Sequence, residues 1–346
     1  MTRIRFSTRR SIINLPTRQA RGLTLIELLV VITILGMVTV ATIPLLAPGG
    51  SSRKIRESAR LVSSLLSQAQ TQALTTGRPC GVWIERLGKG ATDPTDPRLK
   101  QAIDLFLCEV PPPYCGDSLG SVCTVKGSDS NANNRRSITF GEPIPPGMVR
   151  QADRIRFNNR GDWYYIIGPA AADGYVSGTT LTVNPAPPFT GTDAVVSYQI
   201  YRQPEKTASQ PVSLPTGSLI DLQFSGLGSS GNEFGYPNTL QKPVLIVFGP
   251  NGSLESVYYG NGTLLTQMSG STVFLLIAKP ADTSDTGALP NYADFENIWI
   301  SINVQSGLVT TSEVASNVVA SSPAQLANQL SLSRAFARTA QNMGGK

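Results

Sequence analysis

Residues 23–52 read LTLIELLVVITILGMVTVATIPLLAPGGSS, and Glu27 is the only charged residue among them. The 25 residues from 28 to 52 are uncharged. At about 1.5 Å per helical residue, the part from 23 to 46 can cross a hydrocarbon core of roughly 30 Å. Ahead of it, Arg3, Arg5, Arg9, Arg10, Arg18 and Arg21 stand in residues 1–22 without an acid. Cations before a span hold the start in the cytoplasm and send the remainder out, which predicts a single-pass chain with its bulk outside. A cleaved secretory signal is the alternative, with Ala41, Ala47 and Gly49-Gly50 as loose small-residue sites. That reading leaves Glu27 without a use, although a carboxylate in a spanning helix costs up to about 2.5–3.5 kcal/mol.

The whole chain has 346 residues, enough for one large domain or two ordinary ones. Its 32 Gly and 25 Pro predict many turns between short elements, hence a head rich in strands. The absence of histidine excludes Ser-His-Asp and Cys-His catalysis and zinc sites of the HExxH and Cys2His2 types. The net charge of +6 sits in the first 22 residues; without those six arginines, 23 basic residues balance 23 acidic ones. A general polyanion-binding role is therefore weakened.

After Ser52 the apolar residues Ile55, Ala59, Val62, Leu66, Ala69 and Ala73 recur at intervals of three and four, which makes a narrow stripe on a helix ending near the cap residue Gly77. Joined through residues 44–50, the two halves predict one bent helix over 23–77, transmembrane over 23–46. Beyond it, VLIVFGPNGSLESVYYGNGTLLTQM (244–268) predicts two hairpins turning at Asn251-Gly252 and Asn261-Gly262. Both turns also fit the N-x-[ST] glycosylation pattern. Ile298, Ile300, Ile302 and Val304 alternate with Trp299, Ser301, Asn303 and Gln305, the pattern of a strand with one buried face.

Gly22 followed by LTLIELLVVITILGMV resembles the prepilin cleavage and methylation motif of type IV pilins and type II secretion pseudopilins. The resemblance implies a prepilin peptidase that cuts after Gly22 and methylates the new amine at Leu23, with Glu27 as the fifth mature residue. Gly36 and Pro44 stand where the family often has a glycine and a helix-bending proline, and with Glu27 they are the expected assembly residues. SARLVSSLLSQAQTQALTTGRPCGVWIE, LPTGSLIDLQFSG and ENIWISINVQSGLVTTSEV are similar to the helix and strands of the GspH/FimT family, the minor pseudopilin H group. The implied fold is α+β and type IV pilin-like: a long N-terminal helix packed on an antiparallel sheet, with a cleaved basic leader over 1–22, a periplasmic head over 78–320 and a C-terminal helix or tail over 321–346. The head exceeds the family's usual size, so 87–136 and 168–207 read as insertions.

The implied function is a structural subunit of a type II secretion pseudopilus, held in the inner membrane and working with other pseudopilins and an inner-membrane assembly platform. The alternative is a minor pilin of a type IV or competence pilus, for adhesion or DNA uptake. Its candidate DNA surface is Arg150, Arg154, Arg156 and Arg160, with Phe157, Trp163, Tyr164 and Tyr165 for stacking; the bland reading is a solvated strand edge. No catalytic motif, cofactor site or small-molecule substrate is legible, so no enzyme is expected.

Cys80, Cys108, Cys115 and Cys123 lack zinc-ribbon spacing. A disulfide among the last three is the leading expectation, and free buried thiols are the alternative. The acidic stretches at 91–98, 281–286 and 291–297 are either solvated turns or a calcium loop, without EF-hand spacing. Ser322, Pro323 and Gln325 begin a capped helix whose Leu326, Leu330, Ala337 and Ala340 share a face, either docked on the head or free for a partner.

Overall fold

The 3.6-residue apolar period and the runs of alternating residues settle into helices at the two ends and strands between them. The computed structural model describes residues 24–46, 50–88, 93, 96–127, 134–169, 171, 174–189, 192–235, 242–261, 264–268, 270–280 and 289–343. The leader, with Gly22 and Leu23, lies outside them, as do 281–288, most of 91–95 and the Gly262-Thr263 turn. Two units result, Met1–Gly50 and Ser51–Lys346.

The first unit holds α1 (Leu25–Leu46). The second opens with α2 (Gly50–Thr76), which ends where Gly77 adopts φ +64° and donates its N–H to the Ala73 carbonyl. A Cβ-bearing residue pays for that left-handed geometry, so glycine suits the cap. Every predicted stripe residue, from Ile55 to Ala73, is buried. The expected join between the two halves, at 44–50, falls mostly on 47–49, which lie outside the described residues.

A sheet receives the α2 stripe. Its strands are β1 (Cys80–Arg86), β2 (Gln101–Glu109), β9 (Glu205–Lys206), β10 (Val212–Ser213), β11 (Leu219–Leu227), β12 (Val244–Phe248), β13 (Leu254–Asn261), β14 (Leu264–Met268), β15 (Val273–Ala278), β16 (Ile298–Ile302) and β17 (Val309–Glu313). The order is β14-β13-β12-β1-β2-β11-β15-β16-β17, antiparallel throughout, with short β9 and β10 also on β2. Val82, Ile246, Leu275 and Ile300 face α2 and share its core.

The other face of the same strands is also covered. Phe274, Leu276 and Trp299 pack with Leu330 and Ala337 of two C-terminal helices, α3 (Pro323–Ser333) and α4 (Ala335–Asn342). All of Val273–Ala278 and Ile298–Ile302 is therefore buried, which corrects the expectation that 298–304 has one solvated face. The tail docks on its own head. Ser322 makes no side-chain cap; Gln325 instead accepts the Ser321 N–H at 3.1 Å.

Between β2 and β9 the chain builds a closed six-stranded barrel from β3 (Val122–Val125), β4 (Arg136–Arg150), β5 (Arg154–Phe157), β6 (Tyr164–Gly168), β7 (Tyr175–Asn184) and β8 (Ala194–Tyr201). The circuit is β3-β4-β7-β6-β5-β8 and back to β3. It has its own interior, including Ile138, Phe140, Ile155, Ile166, Leu181 and Tyr198. The two expected insertions overlap one inserted barrel that also takes in 137–167, but their bounds are corrected: β2 and β9, which fall inside 87–136 and 168–207, belong to the sheet. Closure leaves it no strand edge to pair with another chain.

Candidate functional site

α1 begins at a reciprocal cap. The Glu27 N–H donates to the Thr24 hydroxyl at 3.3 Å, and the Glu27 carboxylate accepts the Thr24 N–H at 3.4 Å. This is a capping box, Thr-x-x-Glu, which occupies two of the orphan donors of a helix start. The signal was present in the quoted stretch as Thr24-Leu-Ile-Glu27 and was missed because Glu27 was read only for its charge. The negative carboxylate also lies at the end of the helix where the backbone dipole favours it.

Downstream of this cap, α1 is apolar on all sides. Leu25, Ile26, Leu35 and Met37 are among the side chains it leaves exposed. Thr33 and Thr39 return their hydroxyls to the helix, to the Val30 carbonyl at 2.8 Å and the Leu35 carbonyl at 2.7 Å, so neither needs water. Gly36 has open space where a Cβ would stand. Pro44 belongs to α1, but its side chain lies outside the described residues. Among the described residues no helix is long and apolar enough to cross a membrane; the described side chains of α1 end at Thr39. An all-round apolar helix is stable only in an apolar surrounding, lipid or packed protein.

α2 anchors the head through more than its stripe. Its Gln70 side chain donates to the Gly252 carbonyl at 2.7 Å and the Ser306 carbonyl at 3.1 Å, tying together the tips of two hairpins. Gly307 completes this contact because a Cβ there would lie 2.0 Å from the Gly252 carbonyl oxygen.

The four arginines of the candidate DNA surface have different surroundings. Arg150 bonds the Tyr175 hydroxyl, lies 4.6 Å from that ring's centre and stands 4.0 Å from Glu205. Arg154 and Arg156 lie over Trp163, 5.3 and 4.8 Å from its centre, and Arg156 also donates to Gln199. Arg160 is exposed in the turn after β5. Phe157 and Tyr164 point into the barrel interior, where no base can stack on them. Tyr201, which the sequence did not single out, meets Trp163 edge-to-face at 4.6 Å.

The disulfide expectation is corrected: all four cysteines are free. Cys108 faces a small core behind β1 and β12, Cys123 faces the barrel interior, and Cys115 is exposed on the connection between them. The inserted barrel has a core of its own, and the cysteines are parted rather than stapled. Burial raises the Cys80 and Cys108 thiols and pushes Cys123 up to about 12, which keeps them protonated and unreactive.

The acidic stretch 281–286 and most of 91–95 lie outside the described residues, and the described acids of the other stretches are engaged elsewhere. In 291–297, Asp294 and Glu296 both meet Lys279, at 3.1 and 3.3 Å, while Asn291 and Asn297 are buried structural groups. Asp96 is taken by Arg98 at 2.7 Å. No group of three or more potential metal ligands occurs among the described residues.

Residues 17–43 match the family described as the prokaryotic N-terminal methylation motif. No curated protein and no solved structure matches the chain. The chain therefore carries a prepilin-type N-terminus, the kind found in type IV pilin-like proteins and pseudopilins, and the match spans the capping box and most of α1.

Proposed function

We propose that this chain is a minor pseudopilin, a structural subunit of a type II secretion pseudopilus. The observation that carries the reading is the methylation motif at 17–43, seated on a capped helix whose apolar surface is exposed on every side. A prepilin peptidase removes residues 1–22 and methylates the Leu23 amine; α1 anchors the chain in the inner membrane, with the head in the periplasm. Assembly buries α1 among the equivalent helices of other pilin-like subunits, on an inner-membrane platform. The chain performs no catalysis in this role and needs no cofactor.

Glu27 has two jobs in this scheme. Before assembly its carboxylate caps α1, and in the bundle it neutralises the amine of a neighbouring Leu23. A charge left unpaired among apolar helices costs several kcal/mol, so the pair fixes the axial register of the subunits. Intact-mass analysis of membrane-extracted protein should find a methylated start at Leu23. The Glu27→Leu variant should insert and be cut at the same place yet fail to crosslink to other pilin-like subunits. An uncut leader would overturn the family reading; normal assembly of the variant would overturn the role of Glu27 alone.

Arg154 and Arg156, stacked on Trp163, are what remains to favour the second reading, a DNA-binding minor pilin. Phosphate affinity grows with the number of cations engaged, and two supply little of it. Micromolar DNA binding at physiological salt, abolished by changing both arginines to glutamine, would move the assignment to a competence pilus.

A further inference from the structure

The mature chain predicted above has lost the six leader arginines, and between Leu23 and Ser52 it contains no cationic side chain. The next stretch, Arg53-Lys-Ile-Arg-Glu-Ser-Ala-Arg60, carries four cations and one acid. All four cations are exposed in the first turns of α2, because the stripe residues between them, Ile55 and Ala59, take the buried face. Arg56 reaches Glu313 at 3.3 Å in a solvent-exposed pair, whereas Arg53, Lys54 and Arg60 make no ion pair among the described residues. Arg53, Arg56, Glu57 and Arg60 line an open groove of about 430 Å³.

The stretch buries none of its four cations and, Arg56 apart, pairs none of them among the described residues, so the stability of α2 does not explain it. Its distance from α1 points to a different use. Arg53 follows Leu46, the last residue of α1, by seven positions, so the chain holds it within about 25 Å of the end of that helix whatever the path between them. If α1 lies in the bilayer, Arg53 stands within about 25 Å of its outer end, inside one Debye length at low salt (about 30 Å at 0.01 M) and about three at physiological salt.

The geometry points to a binding site for anionic phospholipid headgroups, formed by Arg53, Lys54, Arg56 and Arg60 on the outer leaflet of the inner membrane. The inference rests on the membrane-anchored reading of α1. Before cleavage the leader cations orient the chain; after cleavage the only side-chain cations flanking α1 are these outer ones, so processing reverses the charge balance across the span. The groove takes the phosphate and glycerol of the lipid, and the guanidinium groups supply paired donors to its oxygens. Such contacts hold the processed subunit at the surface until it enters a filament, where the neighbouring subunits replace the lipid.

Each cation near an anionic surface is worth about fivefold in partitioning, so three unpaired ones predict a preference of roughly a hundredfold at low salt. The test uses the full chain in detergent, with native mass spectrometry after titration of phosphatidylglycerol or phosphatidylcholine. The wild-type chain should retain phosphatidylglycerol at least tenfold better. The quadruple variant R53Q/K54Q/R56Q/R60Q should lose that preference, and R53K/R56K/R60K should keep it. All these positions are exposed, and circular dichroism checks that each variant is folded. A wild-type preference below tenfold, or one that survives the quadruple neutralisation, overturns the inference. Alkaline extraction of membranes separates the two levels: a chain released by it refutes the anchored reading, while a retained chain without lipid preference refutes only the headgroup site.

Discussion

Arg334 holds the C-terminal helices to the sheet from inside the protein, and replacing it with methionine isolates that contribution. Its guanidinium is fully buried and donates to the carbonyls of Gly228 at 2.9 Å, Phe224 at 2.7 Å and Gly231 at 2.8 Å. The same group lies 4.6 Å from the ring centre of Trp299 and 4.9 Å from that of Phe274. Burial lowers its pKa to about 9, so it is still charged at neutral pH. No carboxylate stands within ion-pair distance among the described residues; carbonyl dipoles and two aromatic faces stabilise the cation instead. The Arg334→Met substitution strands three carbonyls, at about 1–3 kcal/mol each, and removes the ring contacts, worth about 2 kcal/mol. Against this stands the release of the buried cation's desolvation penalty, itself several kcal/mol. The net expectation is a loss of about 3 kcal/mol, or a melting temperature lower by about 6–12 °C. Calorimetry measures the size, and hydrogen exchange locates it: β15, β16 and the tail should exchange faster while the barrel is unchanged. Arg338→Met is the control, since Arg338 is exposed and bonds only Ser331 at 3.2 Å. A loss under 1 kcal/mol, or faster exchange confined to the barrel, would refute the claim that Arg334 fastens the tail.

Two further predictions concern groups inside the barrel and on its approach. Asp153 is buried, accepts the N–H groups of Arg150 at 2.7 Å and Gln203 at 2.9 Å, and is pushed by desolvation up to about 6 from an ordinary 3.8. Its folded value is the higher one, so its contribution to stability is complete below pH 3.8 and is lost as pH rises through about 6, by up to about 3 kcal/mol. Asp153→Asn should flatten that component, which the difference in melting temperature between wild type and variant across pH 4–7.5 reads directly; a pH-independent difference would refute it. Alkylation of the native protein should modify Cys115 alone, with Cys80, Cys108 and Cys123 reacting only after denaturation. Mass spectrometry showing two or more native adducts, or none, would contradict the four free thiols and their burial.

What local sequence determined is what local chemistry can specify. Gly22 and the apolar run after it, with one carboxylate near its start, resemble a prepilin-type N-terminus, and the family match over 17–43 needs no tertiary information. The α2 stripe was legible for the same reason: a period of 3.6 places Ile55, Ala59, Val62, Leu66, Ala69 and Ala73 on one side whatever they pack against. Turn chemistry likewise placed the Asn251-Gly252 hairpin, where Gly252 takes φ +79°. Tertiary structure decided the rest, because burial, closure and proximity depend on residues distant in the chain. Trp299 and Ser301 alternate like the solvated side of a strand, and only α3 and α4, folding back from the C-terminal end, bury them. The passages over 87–136 and 168–207 appeared as separate insertions because the pairings of β3 with β8 and β4 with β7 join segments far apart in sequence. The same closure draws Cys108 and Cys123 into different cores, and it turns Phe157 and Tyr164 inward while Arg154 and Arg156 stay outside, since alternate residues on a closed strand face opposite ways.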